Sequence, residues 1–194
     1  KTGKAAVIAT LTNKYDTGFL KIKKNVTING VPAVQSDSKA KTNGTYRFQI
    51  WKGGYKAEKI QRALVEIDFA DGVAQSARYE WTDERGGAEG TTPVWKTDDI
   101  TVANGVVTLK GLEPGTYTIH EIENKLPTGM KLVNGNGQGG NDQQVTVTAG
   151  ETASIQTAEF TNDYEELGGF ELKKSIITKS PIAAQNMPFN FTIT

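Results

Sequence analysis

Gly115-Thr116-Tyr117-Thr118-Ile119-His120-Glu121 is the stretch on which the reading of this chain turns. Threonine alternating with aromatic and branched residues predicts a strand, and successive strand side chains point to opposite faces. Tyr117, Ile119 and Glu121 therefore share a face, which puts a carboxylic acid at the end of an apolar row. Two other segments carry the same anomaly. In Phe19-Leu20-Lys21-Ile22-Lys23-Lys24, the residues Leu20, Ile22 and Lys24 point together; in Ala158-Glu159-Phe160-Thr161-Asn162, so do Ala158, Phe160 and Asn162. A lysine, a glutamate and an asparagine each close an apolar row.

The rest of the pattern is also β. Tyr46, Phe48 and Ile50 form one row, Ala63, Val65, Ile67 and Phe69 another, and Ala77, Tyr79 and Trp81 a third. Asp71-Gly72 and Asn104-Gly105 sit between such segments, and these dipeptides suit the left-handed positions of hairpin turns. Short strands with turn signals between them predict an all-β fold, an antiparallel β-sandwich. A short helix is expected only at Tyr55 to Arg62, and the glycine-rich Asn134 to Asp142 reads as an exposed loop.

Composition narrows the function classes. The chain has 194 residues, with 22 basic side chains against 22 acidic ones, so its formal charge gives no case for nucleic acid as a partner. No apolar run approaches the roughly 20 residues of a membrane span, and membrane insertion is not expected. Cysteine is absent, which excludes disulfides and thiolate metal sites. His120 has the opposite parity to Glu121 and no cysteine to join it, so neither a metal nor any other cofactor is expected. Trp51, Trp81 and Trp95 read as packing residues.

An internal repeat organises the chain. ATLTNKYDTGFLKIKKNVT, from Ala9, resembles AEFTNDYEELGGFELKKSIIT, from Ala158, and the repeat aligns Asn13 with Asn162 and Lys24 with Lys174. The repeated block spans the end of one unit and the start of the next. Residues 1–16 are accordingly expected to be the last strand of a preceding repeat, 17–166 a complete sandwich domain, and 167–194 the first strands of a following repeat. The junctions lack Gly/Ser or Pro-rich linkers, which predicts stiff stacking.

A buried amine, carboxylic acid and carboxamide have a specific chemistry open to them. Burial disfavours charge, lowering a lysine pKa and raising a glutamate pKa. A neutral Lys24 can then attack the Asn162 side-chain carbonyl while protonated Glu121 hydrogen-bonds that oxygen and relays a proton to the departing ammonia. The product is an isopeptide bond. Parity selects Lys24 over Lys23 and Asn162 over Asp163, and leaves Glu123 as a same-face alternative to Glu121. The same three residues also read as a solvated lysine, a strand-end glutamate and a turn asparagine.

The order of motifs bears on that choice. Leu20-Lys21-Ile22-Lys23-Lys24, then Gly115 to Glu121 with Pro127-Thr128-Gly129, then Phe160-Thr161-Asn162 resembles the collagen-adhesin B-type and pilin isopeptide-linkage domains of Gram-positive surface proteins. Met130 stands where such domains often have an aromatic residue. The resemblance implies that Lys24 and Asn162 are crosslinked, that Glu121 is the catalytic acid, and that Asn13 and Lys174 are the equivalent positions of neighbouring repeats. It further implies an immunoglobulin-like β-sandwich repeated in tandem, serving as a stalk or shaft domain of a pilin or adhesin, extracellular and at the cell wall. Such a domain is not a turnover enzyme, because its internal reaction happens once. Its expected partners are neighbouring repeats or fibre subunits, joined in part by strand complementation. An alternative is an adhesin domain that contacts a host protein or glycan through an insert at about residues 55–99, and a third class is an accessory module on an extracellular hydrolase.

Overall fold

A computed structural model of the chain describes residues 16–54, 61–82, 95–133, 141–150 and 156–168, together with Lys173, Ser175 and Asn190 as single positions. The strands are β1 (Gly18–Ile28), β2 (Val31–Pro32), β3 (Gly44–Lys52), β4 (Gln61–Ala70), β5 (Val73–Trp81), β6 (Ile100–Ala103), β7 (Val106–Leu112), β8 (Gly115–Glu121), β9 (Met130–Leu132), β10 (Asp142–Val147) and β11 (Thr157–Tyr164). They form two sheets. One has the order β6-β7-β1-β11-β9, with β2 also paired to β1; the other has the order β10-β8-β3-β4-β5. The fold is an all-β sandwich, and its core lies where the inner faces meet.

The alternating rows account for that core. Leu20, Ile22, Ala158 and Phe160 from one sheet are buried against Tyr46, Phe48, Ile50, Val65, Ile67, Tyr117 and Ile119 from the other. Apolar burial of this kind is worth about 25 cal/mol per Å² and needs no particular direction. Trp51 departs from the burial alternation of its strand: it follows the buried Ile50 and is itself buried, paired with the buried Thr118 of β8.

Three hairpin turns share one backbone form. Asn29-Gly30, Asp71-Gly72 and Asn104-Gly105 all have positive φ at both residues, near 50° and then near 75–78°, as a type I′ turn requires. At Gly72 there is a second reason for glycine, since an added Cβ would stand 2.7 Å from the Val34 backbone nitrogen.

Three expectations are modified. The helix at Tyr55 to Arg62 is not formed at its end, where Gln61 and Arg62 open β4; residues 55–60 lie outside the described residues. The insert at about 55–99 is not separate from the sandwich over 61–81, because β4 and β5 complete one sheet and bury Ala63, Val65, Ile67, Phe69, Ala77 and Tyr79. The pairing is not wholly antiparallel: β1 and β11 run parallel from Lys21↔Thr157 to Ile28↔Tyr164. They are widely separated in sequence, so the chain has room to return and lay its last strand beside its first in the same direction. Asn13 and Lys174, with most of the flanking segments, lie outside the described residues, as do positions 134–140 of the glycine-rich loop.

Candidate functional site

β1 and β11 bring Lys24 and Asn162 to one inner face. In the parallel register Lys24 stands beside Phe160 and Asn162 beside Val26, so the two polar residues are diagonal neighbours, one on each strand. Asn162 is the last buried residue of its row, as the sequence suggested, but Lys24 does not end its own. β1 continues through the buried Val26 and Ile28, and Lys24 sits in mid-strand. Glu121 comes from β8 in the opposite sheet, where it pairs with Phe48 across β3. The three side chains meet between the sheets.

All three are buried. Lys24 Nζ lies 3.3 Å from Glu121 Oε1, both side chains having no solvent exposure, and Nζ also donates to the Asn25 carbonyl at 3.3 Å. Asn162 Nδ2 donates to Glu121 Oε2 at 3.2 Å. The walls are aromatic: the Tyr46 ring lies 4.9 Å from Lys24 Nζ, and Phe48 packs on Phe160 with centroids 5.1 Å apart. The Tyr46 hydroxyl is turned aside, donating to the Thr42 carbonyl at 3.0 Å.

This setting shifts both ionisable groups toward neutrality. Burial lowers the Lys24 pKa from 10.5 to about 8, with the Glu121 carboxylate opposing the shift. Burial raises the Glu121 carboxyl above its ordinary 4.5, with Lys24 and the hydrogen bond from Asn162 opposing. Moving a charge out of water is costly, so burial favours the neutral form of each group. Burial, then the neighbouring Glu121, also pushes the Tyr46 phenol up.

One detail differs from the expected chemistry. The group facing Glu121 is the Asn162 nitrogen, and Asn162 Oδ1 is buried without a hydrogen bond. The acid therefore stands at the leaving nitrogen, while the carbonyl oxygen is left bare. An unsatisfied buried acceptor costs roughly 1–3 kcal/mol.

The neighbouring candidates fall elsewhere. Glu123 is exposed on the short turn Glu123–Lys125 that follows β8, which removes it from the site. Lys23 points outward and pairs with Glu159 at 2.8 Å. Asp163 accepts hydrogen bonds from the Thr27 hydroxyl at 2.6 Å and the Gly30 N–H at 2.9 Å. His120 bonds Asp142 at 2.6 Å on the outer side of its strand. Tyr46 belongs to the site and was read from the sequence only as a core residue; nothing in a strand pattern distinguishes a ring under an amine from any other buried ring.

No family model and no curated protein matches the sequence. Among solved structures the chain is similar to GBS52, the minor pilin of the Gram-positive pathogen Streptococcus agalactiae, with a TM-score of 0.35 and 15% identity. The match covers 83% of this chain and 49% of that one, so the chain spans about half the length of that pilin.

Proposed function

We propose that the chain is a load-bearing stalk or shaft domain of a Gram-positive cell-surface pilin or adhesin, stabilised by an isopeptide bond that it forms between Lys24 and Asn162. The observation that carries this reading is the fully buried Lys24–Glu121–Asn162 cluster, set in an aromatic core and drawn from both sheets. Lysine and glutamate are almost never fully buried without a reason.

The reaction balances within the three side chains. The neutral Lys24 amine adds to Asn162 Cγ, giving a tetrahedral intermediate. Glu121 takes a proton from the attacking nitrogen and delivers one to Nδ2, with which it already shares a hydrogen bond. The Cγ–Nδ2 bond breaks, ammonia leaves, and an amide joins Nζ to Cγ. Exclusion of water protects the intermediate from hydrolysis.

The placement of the bond suits a mechanical role. β1 and β11 are parallel neighbours. Tension applied at the Gly18 end of β1 and the Tyr164 end of β11 pulls them past one another and loads their ladder in shear. A Lys24–Asn162 amide carries that load covalently, and the chain between the two residues is spared. Closing so long a loop also adds about 5 kcal/mol by restricting the unfolded chain. In a chain without cysteine this supplies a crosslink that reductants do not cut.

Surface character favours a stalk over a ligand-binding insert. Val73 is the only large apolar residue exposed among the described residues between 55 and 99, and it sits beside the Asp71-Gly72 turn. The test is the intact mass of the denatured chain beside its Glu121→Ala variant. The parent should be lighter than its sequence by one ammonia and the variant should have its full mass. Full mass in both overturns the reading.

A further inference from the structure

A single side chain closes part of one seam of the sandwich. Gln143, the first inward residue of β10, is buried, and its carboxamide meets both backbone groups of Glu159. The Glu159 N–H donates to Gln143 Oε1 at 2.7 Å, and Gln143 Nε2 donates to the Glu159 carbonyl. β9 pairs with β11 only from Asn162 to Tyr164. Glu159 therefore lies on the part of β11 that β9 does not cover, and a strand of the other sheet supplies an amide in place of a ladder partner. A carboxamide offers one acceptor and a donor, as a peptide group does. Valine, which fills the next two inward positions, Val145 and Val147, offers neither.

What stands at the two ends of this tie gives it meaning. Gln143 pairs with Ile119 on β8, just before Glu121, and the Glu121 N–H is itself held by the Asn141 carbonyl at 2.8 Å. Glu159 shortly precedes Asn162 on β11. The contacts close a ring: Glu121, β8, β10, Gln143, Glu159, β11, Asn162, and back across the 3.2 Å hydrogen bond between Asn162 and Glu121. The β1–β11 ladder fixes Lys24 against Asn162 but does nothing to fix either against Glu121, which belongs to the other sheet. Apolar packing between sheets is non-directional, whereas the Gln143 carboxamide is a directional link.

We infer that Gln143 is a positioning residue for isopeptide formation, holding β11 against β8 and β10 so that Glu121 stays on the Asn162 carboxamide. This rests on the reading of the buried cluster as the bond-forming site. A residue that only satisfied an open strand edge would change stability and leave the rate in folded molecules alone. A positioning residue changes the rate, since small misplacements of reacting groups are expensive.

The full chain is synthesised in a cell-free reaction, and its intact mass is followed with time beside Gln143→Met, which keeps length and burial but loses both hydrogen bonds. Circular dichroism establishes that each is folded. Gln143→Met is expected to lose ammonia between about ten and a hundredfold more slowly than the parent, and sucrose, which strengthens burial without restoring a hydrogen bond, should leave that deficit in place. If Gln143→Met does not fold, Gln143→Glu, which keeps the acceptor for the Glu159 N–H, takes its place with an intermediate rate expected. Equal rates in parent and folded variant, or recovery of the parent rate in sucrose, overturn the positioning role alone. No ammonia loss from the parent overturns the bond-forming reading, and this inference with it.

Discussion

Two clusters built from the same three residue types lie on opposite faces of one pair of strands. Inside, Lys24, Glu121 and Asn162 meet with no solvent exposure at the lysine and glutamate side chains. Outside, a cluster of the same composition lacks that burial: Lys23 and Glu159, 43% and 26% exposed, pair at 2.8 Å, and Asn25 Nδ2 donates to the same Glu159 oxygen at 2.7 Å. Residue type does not separate the two, and the closer contacts are the outer ones. Solvent and topology separate them. Water screens the outer ion pair, while its exclusion from the inner one shifts Lys24 and Glu121 toward neutral forms that can react. Lys23 and Asn25 also share β1, so a bond between them would span almost no chain, whereas Lys24 and Asn162 join the first described strand to the last.

The sharpest way to break the comparison is to delete each lysine. Lys24→Met should abolish the loss of ammonia and, with the crosslink gone, lower stability by about 5 kcal/mol, read as a fall in the denaturation midpoint. Lys23→Met should leave the mass change intact. If the Lys24 variant still loses ammonia, the assignment of the nucleophile is wrong.

Removing the acid tests the electrostatics. Glu121→Gln should block the bond and leave Lys24 buried without a carboxylate to oppose the lowering of its pKa, which then lies below the parent's value of about 8 against an ordinary 10.5. Between those values the unfolded chain binds the proton that the folded one lacks. Stability of this variant therefore rises with pH through that window, by at most about 1.4 kcal/mol per pH unit for one proton. Urea denaturation at several pH values from 7 to 10.5 reads it. A flat profile would mean that Lys24 is hydrated despite its burial.

Tyr46 separates the ring from the hydroxyl. Tyr46→Phe keeps the ring beside Lys24 Nζ and loses only the 3.0 Å hydrogen bond to the Thr42 carbonyl. A stability loss of about 1 kcal/mol is expected, with ammonia still lost in full. Failure to form the bond would give the hydroxyl a part in the chemistry that its orientation does not suggest.

The sequence made much of this legible because a strand has only two faces. Parity alone put Lys24, Glu121 and Asn162 inward and Lys23 and Asp163 outward, and the Asp71-Gly72 and Asn104-Gly105 turns followed from backbone sterics. Asn29-Gly30 carried the same signal and was not read. Parity could not say that β8 lies in the opposite sheet from β1 and β11, nor that the first and last strands run parallel, because both are properties of long-range pairing. It also left Glu123 open, since only the turn after β8 takes that residue out of the row. Gln143 heads the row of Val145 and Val147 just as Lys24 interrupts its own, so a polar residue on an apolar face marked it too.

The smallest expected effect completes the contrast. Glu159→Gln removes the carboxylate that holds Lys23 at 2.8 Å and Asn25 at 2.7 Å but keeps an acceptor oxygen and leaves the Glu159 backbone groups in place. An exposed ion pair contributes at most about 1 kcal/mol and is screened by salt. The variant should lose less than that at low ionic strength and match the parent near 1 M salt, where the screening length is only about 3 Å. It should still lose its ammonia. If Glu159→Gln instead slowed the bond as severely as Glu121→Ala, the outer cluster would be coupled to the inner one through β11, and exposure would no longer be what distinguishes them.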